Sequence, residues 1–151
     1  MTTTVSGIEG LRSLVGTDLG TGAWHEVDQQ TVDRFADATG DHQWIHVDPE
    51  RAKDGPFGHT IAHGYLTLSL APVLLGDVLR VEGFSMGVNY GCNKVRFPAP
   101  VPVGSRVRLG ATIAEVTDVE GGVQAVVDLA ITVEGAAKPS CVAQVIYRYY
   151  V

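Results

Sequence analysis

The chain has 151 residues, of which 45% are hydrophobic and 19% charged, with a formal charge of −6. That length and apolar content suit one domain with its own core and exclude global disorder. The acidic balance and scattered Lys and Arg residues make nucleic acid and anionic membrane surfaces poor partners, and no run reaches the roughly 18 apolar residues that span a bilayer. The N-terminus lacks the basic start and apolar core of a signal peptide. Its two cysteines, Cys92 and Cys141, read as buried thiols in a reducing compartment rather than a disulfide. The expectation is a cytoplasmic protein.

In chain order, residues 1–22 are rich in Gly and Thr and read as an irregular lead-in with at most one helical turn near Ile8–Val15. Ala23–Val27 is a candidate short strand. Asp28 is placed to cap a helix over Gln29–Thr39, with Val32, Phe35 and Ala36 on one face and Gly40 as its stop. Asp48 followed by Pro49 starts a second, short helix that Asp54-Gly55-Pro56 ends. His59–Leu79 reads as one long helix, apolar all round and so buried all round, with Pro72 as a kink. After Gly83 the period changes to two. Met86–Phe97, Arg106–Thr117, Val123–Val133 and Cys141–Tyr150 are strands, and Glu120-Gly121-Gly122 is a hairpin turn. The fold class is therefore α+β, with the apolar helix packed on an antiparallel sheet. A sheet wrapped around one long central helix would be a single hot-dog domain, the topology expected here.

The polar chemistry is concentrated between Thr39 and Gly64, which hold Asp41 and four of the five histidines, His42, His46, His59 and His63. A carboxylate and an imidazole that share a water, as Asp41 and His46 would across a loop, can take its proton and deliver one elsewhere. On spacing alone, a solvated Asp near a surface His is the stronger reading. His42/His46 and His59/His63 have the i,i+4 spacing that metals favour on a helix. Gly40 breaks the first pair's helix, and the second lacks the intervening Glu of the zinc-hydrolase motif. Gly64, near a buried helix start, offers free N–H groups to a ligand carbonyl, or only permits close packing. Gly83-Phe84-Ser85-Met86-Gly87 matches the G-x-S-x-G nucleophile elbow but leads into a strand, and no histidine follows His63. Lys94, Arg96, Arg106, Arg108 and Arg148 are candidates for a phosphate-bearing ligand and otherwise an ordinary solvated face.

The run Gly40-Asp41-His42-Gln43-Trp44-Ile45-His46-Val47-Asp48-Pro49, followed by Ala62-His63-Gly64, resembles the MaoC-like (R)-specific enoyl-CoA hydratases, or hydratase 2. The likeness covers Phe35 to Leu75 and continues at Val95–Val101 and Gly104. Gln43 and Trp44 stand where that family has Asn and Pro, a version similar to the nodulation-protein-N-like branch. The resemblance implies a hot-dog fold and reversible syn hydration of a trans-2-enoyl-CoA to the (3R)-hydroxyacyl-CoA. It implies Asp41 and His46 as the pair that activates water, and the Gly64 N–H as the group that polarises the thioester carbonyl. Gln43, His63 and Trp44 would position substrate, with neither metal nor cofactor. The partners implied are an acyl-CoA thioester and a second copy of the chain in a homodimer.

Three other readings compete. A hot-dog thioesterase would place an acid in the central helix, yet His59–Gly76 contains none. An acyl-carrier-protein dehydratase component would run the same chemistry on another carrier. A non-catalytic acyl-binding module would tolerate loss of Asp41.

Overall fold

The computed structural model describes residues 1–151. The lead-in is not irregular. It forms strand β1 (Thr3–Ser6), helix α1 (Gly7–Arg12) and strand β2 (Asp18–Thr21). Strand β3 is only His25–Glu26. Helix α2 spans Gln29–Thr39 as its caps predict: Asp28 accepts the Thr31 N–H at 2.8 Å, and Gly40 turns out of the helix at φ 83°. One-turn helices α3 (Trp44–Val47) and α4 (Pro49–Ala52) follow, the second capped by Asp48.

The long central helix is shorter than its sequence suggests. Residues 59–63 are not helical, and Ile61 bridges Pro102. Helix α5 (Gly64–Ser69) and helix α6 (Ala71–Leu75) meet at Leu70, just before Pro72, which has no N–H to continue the ladder. Strand β4 (Leu79–Glu82) then pairs in parallel with β1. Leu79, the last residue of the helix read from sequence, instead opens this strand, for which the N-terminal strand supplies the pairing partner.

The main sheet contains β5 (Met86–Arg96), β6 (Arg106–Val119), β7 (Gly122–Val133) and β8 (Cys141–Tyr150). Its order is β2-β6-β7-β8-β5, with β3 also on β6, and all its pairings are antiparallel. The two-residue turn Glu120-Gly121 closes the β6–β7 hairpin, with Val119 opposite Gly122. Strand β5 pairs with β8 at the far edge, not with its sequence neighbour β6.

The period-two face is the core. Val107, Leu109, Ala111 and Ile113 of β6, and Val123, Ala125, Val127, Leu129 and Ile131 of β7, are all buried. Helix α6 packs on β6 and α5 on β8. The central helices are not buried on every side, however: Tyr65 is 72% exposed and Val73 69%. Every residue of β5 except Val95 is exposed as well. Cys92 lies on that strand and is exposed, against expectation, whereas Cys141 is buried; both are free. Burial pushes the Cys141 thiol up to about 11, so it stays protonated and inert.

Candidate active site

Local structure explains how Asp41 and His46 meet. Gly40 ends α2 in the left-handed region and reverses the chain, which leaves Asp41 exposed at the start of a short loop. The Gln43 N–H lies 3.4 Å from the Asp41 carboxylate, and Gln43 immediately precedes the single turn α3. That turn carries His46 inward, to 7% exposure.

His46 is held from several directions. Its N–H donates to the Gln43 carbonyl at 3.0 Å. Its Nδ1 lies 2.7 Å from the Ile61 carbonyl. A carbonyl only accepts, so the proton is on Nδ1 and the neutral ring keeps its lone pair on Nε2. The carbonyl's own strand is fixed, because Ile61 N–H donates to Ile45 O at 3.0 Å and Ala62 N–H to Val101 O at 2.8 Å.

His63 supports the same pair from the other side. Its ring stacks on His46 with centroids 3.8 Å apart and planes 23° from parallel, and Phe35 tilts against it at 4.8 Å. Its Nε2 donates to the Asp41 backbone carbonyl at 2.9 Å, and its buried Nδ1 has no partner. A ring nitrogen of each histidine and an Asp41 carboxylate oxygen lie within 4.8 Å of one another. Nearly parallel ring planes do not intersect within the ~2 Å reach of a metal–imidazole bond. This geometry suits a shared water better than a shared metal ion.

The i,i+4 pairs themselves do not form. His42 is exposed and pairs with Asp37 at 2.9 Å, while His59 Nδ1 faces the Thr60 carbonyl at 3.2 Å. The partnership that forms, His46 with His63, links residues that no helical spacing relates.

Burial holds the His46 pKa below its ordinary value of 6.5, and His63 pushes in the same direction; the Ile61 bond and Asp41 oppose them. The bond to Asp37 raises the His42 pKa above that value. A histidine NMR titration is expected to show His46 titrating below 6.5 and His42 above it. The reverse order would mean that His46 is solvated. A depressed pKa leaves His46 neutral at pH 7, with its Nε2 lone pair free to accept a hydrogen bond from water.

Gly64 is the first residue of α5. The N–H groups of that turn have no acceptor within the helix, and the His63 side chain does not cap them. A Cβ on Gly64 would lie 2.9 Å from Cδ2 of Phe97, so the glycine also lets that ring pack against the helix start. Beside it is a cavity of about 340 Å³ bounded by Phe57, Gly64, Thr67, Phe97 and Ser140. A second cavity, of about 270 Å³, lies one turn along, between Leu68, Ala71 and Pro72 of the central helices and Cys92, Val145 and Tyr147 of the sheet.

The remaining sequence candidates divide. The Gln43 side chain is exposed, and its backbone, not its amide, makes the local bonds. Arg51 stacks on Trp44 at 4.4 Å, and the indole packs against Gly55, away from both cavities. Arg106 is paired with Glu134, Arg108 lies over Trp24, and Arg148 lies over Tyr90 while donating to Gln124. Lys94 and Arg96 make no ion pair. Ser85 is no nucleophile elbow: its N–H and hydroxyl both donate to the Tyr150 carbonyl at the start of β5.

Two residues that sequence reasoning passed over are hydrogen-bonded around His46. Thr60 donates to Gln29 Oε1, and Gln29 Nε2 donates to the His46 carbonyl. Gln29 looks like an ordinary first helical residue, and only the fold brings it next to His46.

The profile of the MaoC like domain matches residues 11–134. The chain is 54% identical over 147 residues to 3-hydroxyacyl-thioester dehydratase Z of Mycobacterium tuberculosis, covering 97% of both chains. It is 48% identical over 124 residues to nodulation protein N of Rhizobium leguminosarum bv. viciae, covering 81% of this chain and 76% of that one. Among solved structures, the monoamine oxidase regulatory protein from Archaeoglobus fulgius superposes with a TM-score of 0.78 at 24% identity, over 99% of this chain and 97% of that one. An (R)-hydratase from A. caviae involved in PHA biosynthesis superposes with a TM-score of 0.69 at 23% identity, over 85% and 93%. These superpositions establish the fold as hot-dog.

Proposed function

The chain belongs to the family of the MaoC like domain, and from that premise we propose that it is an (R)-specific enoyl-CoA hydratase, adding water reversibly to trans-2-enoyl-CoA. The observation that carries this reading is the pairing of the exposed Asp41 carboxylate with a buried imidazole whose lone pair is fixed on Nε2. The relative named 3-hydroxyacyl-thioester dehydratase Z supports it from the dehydration direction.

In the forward direction a water held between Asp41 and His46 gives up a proton to Asp41 as its oxygen bonds to C3. The C2–C3 π electrons move toward the thioester, and the developing enolate oxygen is met by the Gly64 N–H. The proton then returns from Asp41 to C2, the enolate collapses, and the base is regenerated. One pair on one face of the substrate makes the addition syn. His46 orients the water, and His63 fixes both partners from behind. The cavity beside Gly64 would take the thioester, and the one along the central helix the acyl chain.

Two observations support a second copy of the chain as partner. Strand β5 leaves an edge unpaired, and Tyr65, Val73, Met86, Val88 and Tyr90 expose apolar surface on or near it. Edge-to-edge pairing about a two-fold axis would cover both. Sedimentation is expected to give twice the chain mass, and Val88→Lys to shift the chain toward monomer. A monomeric unaltered protein would contradict the pairing.

The function itself is tested by following loss of enoyl absorbance from crotonyl-CoA together with free thiol. Hydration without thiol supports the proposal. Thiol release would favour a thioesterase instead, a reading already weakened by the absence of any acid between Gly64 and Leu75. Turnover confined to the carrier-protein thioester would favour the dehydratase component.

A further inference from the structure

We propose that Gln29 is a positioning residue for the proton-transferring pair, acting through His46; this rests on the reading of His46 given above. His46 depends on two separate pieces of chain. Helix α3 carries it, and the non-helical segment Thr60–Ile61 supplies the carbonyl that fixes its tautomer. The Gln29 amide ties the two together. Its Oε1 accepts the Thr60 hydroxyl at 2.7 Å, and its Nε2 donates to the His46 carbonyl at 2.8 Å. The same Nε2 donates to the Asp33 carboxylate one turn further along α2, at 2.9 Å.

The amide's acceptor and both its N–H groups are therefore engaged. Asp33 sets which end of the amide is which, because a carboxylate accepts only from the nitrogen. That in turn directs the oxygen to Thr60, which is 5% exposed, and the remaining N–H to His46. Gln29 is itself fixed, as the first residue of a helix whose cap, Asp28, is formed. A rigid helix thus sets the separation between the imidazole and its tautomer-fixing carbonyl. Neither Gln29 nor Thr60 lines the cavity beside Gly64 or the one along the central helix. Their effect is on the placement of Nε2, which orients the water, and misplacement of about 1 Å costs a step that depends on orientation roughly 10²-fold.

The test compares Gln29→Met, which keeps the length and loses every hydrogen bond, with Thr60→Val and Thr60→Ser. Each variant is read by kcat and KM on crotonyl-CoA, by the pH–rate profile and by the NMR titration of His46. The proposal expects Gln29→Met to lower kcat about tenfold or more with KM within about twofold. The His46 titration and the acid limb of the profile should both move up toward the ordinary histidine value as water reaches the ring. Thr60→Val should follow in the same direction, and Thr60→Ser, which restores the hydroxyl, should return to the unaltered values. Unchanged kcat and an unmoved His46 titration in Gln29→Met would overturn the proposal, whatever happens to thermal stability. If the unaltered protein hydrates no enoyl thioester, the hydratase reading fails separately. The His46 titration then still decides whether Gln29 positions it.

Discussion

Asp41→Asn is expected to lower kcat for enoyl thioester hydration by about 10²–10⁴-fold, with the thermal unfolding curve unmoved. The expectation follows from where the carboxylate lies. Asp41 is exposed, its side chain makes one long contact to the Gln43 N–H, and its backbone carbonyl, not its carboxylate, receives the His63 bond. Asparagine keeps the size and the backbone, so His63 and His46 stay stacked. On the proposed mechanism the loss is confined to the base that takes a proton from water and returns it to C2. A binding module would show no such change in any property. A variant with full activity would therefore remove Asp41 from the chemistry, and a variant that unfolds would show that the side chain is structural. Steady-state kinetics beside a melting curve separates these outcomes.

His46→Ala is expected to lose as much activity and, unlike Asp41→Asn, stability as well, by about 1–3 kcal/mol. His46 is buried, and the substitution leaves the Ile61 carbonyl without its donor. It also removes the ring on which His63 stacks, beside an Nδ1 that already lacks a partner. Both defects lie between α3 and the residues preceding α5, so the helix start at Gly64 should loosen too. Denaturant unfolding measures the stability term. An unchanged midpoint would mean that this part of the site relaxes freely and that the packing around His46 contributes little.

The contrast between the two variants reflects what sequence can and cannot carry. Capping residues and strand alternation are local signals. They placed α2 between Asp28 and Gly40 and put Val107, Leu109, Ala111 and Ile113 on one buried face. Strands β1 and β4 carry no local signal because each is four residues long and is made by its partner. The apolar run Tyr65–Leu75 marks the central helices, but hydrophobicity does not say what covers a face, and Tyr65 and Val73 remain open in the single chain. At the candidate site, the motif singles out Asp41 and His46, which the fold brings close together. The stacking of His63 on His46 and the Gln29 tie depend on residues 60–63 running back alongside α3, a tertiary event with no period to reveal it. The i,i+4 histidine pairs fail to form for the same reason, since neither pair lies on one helix.

The central claim is that a single pair, Asp41 and His46, handles one water on one face of the substrate. Hydration of crotonyl-CoA in D₂O, with the product's C2 and C3 configurations read together by NMR, tests it most directly. The account predicts one diastereomer, (R) at C3, with deuterium and hydroxyl added to the same face. Addition to opposite faces, or scrambled deuterium at C2, would contradict it by requiring a second proton donor on the far side of the substrate.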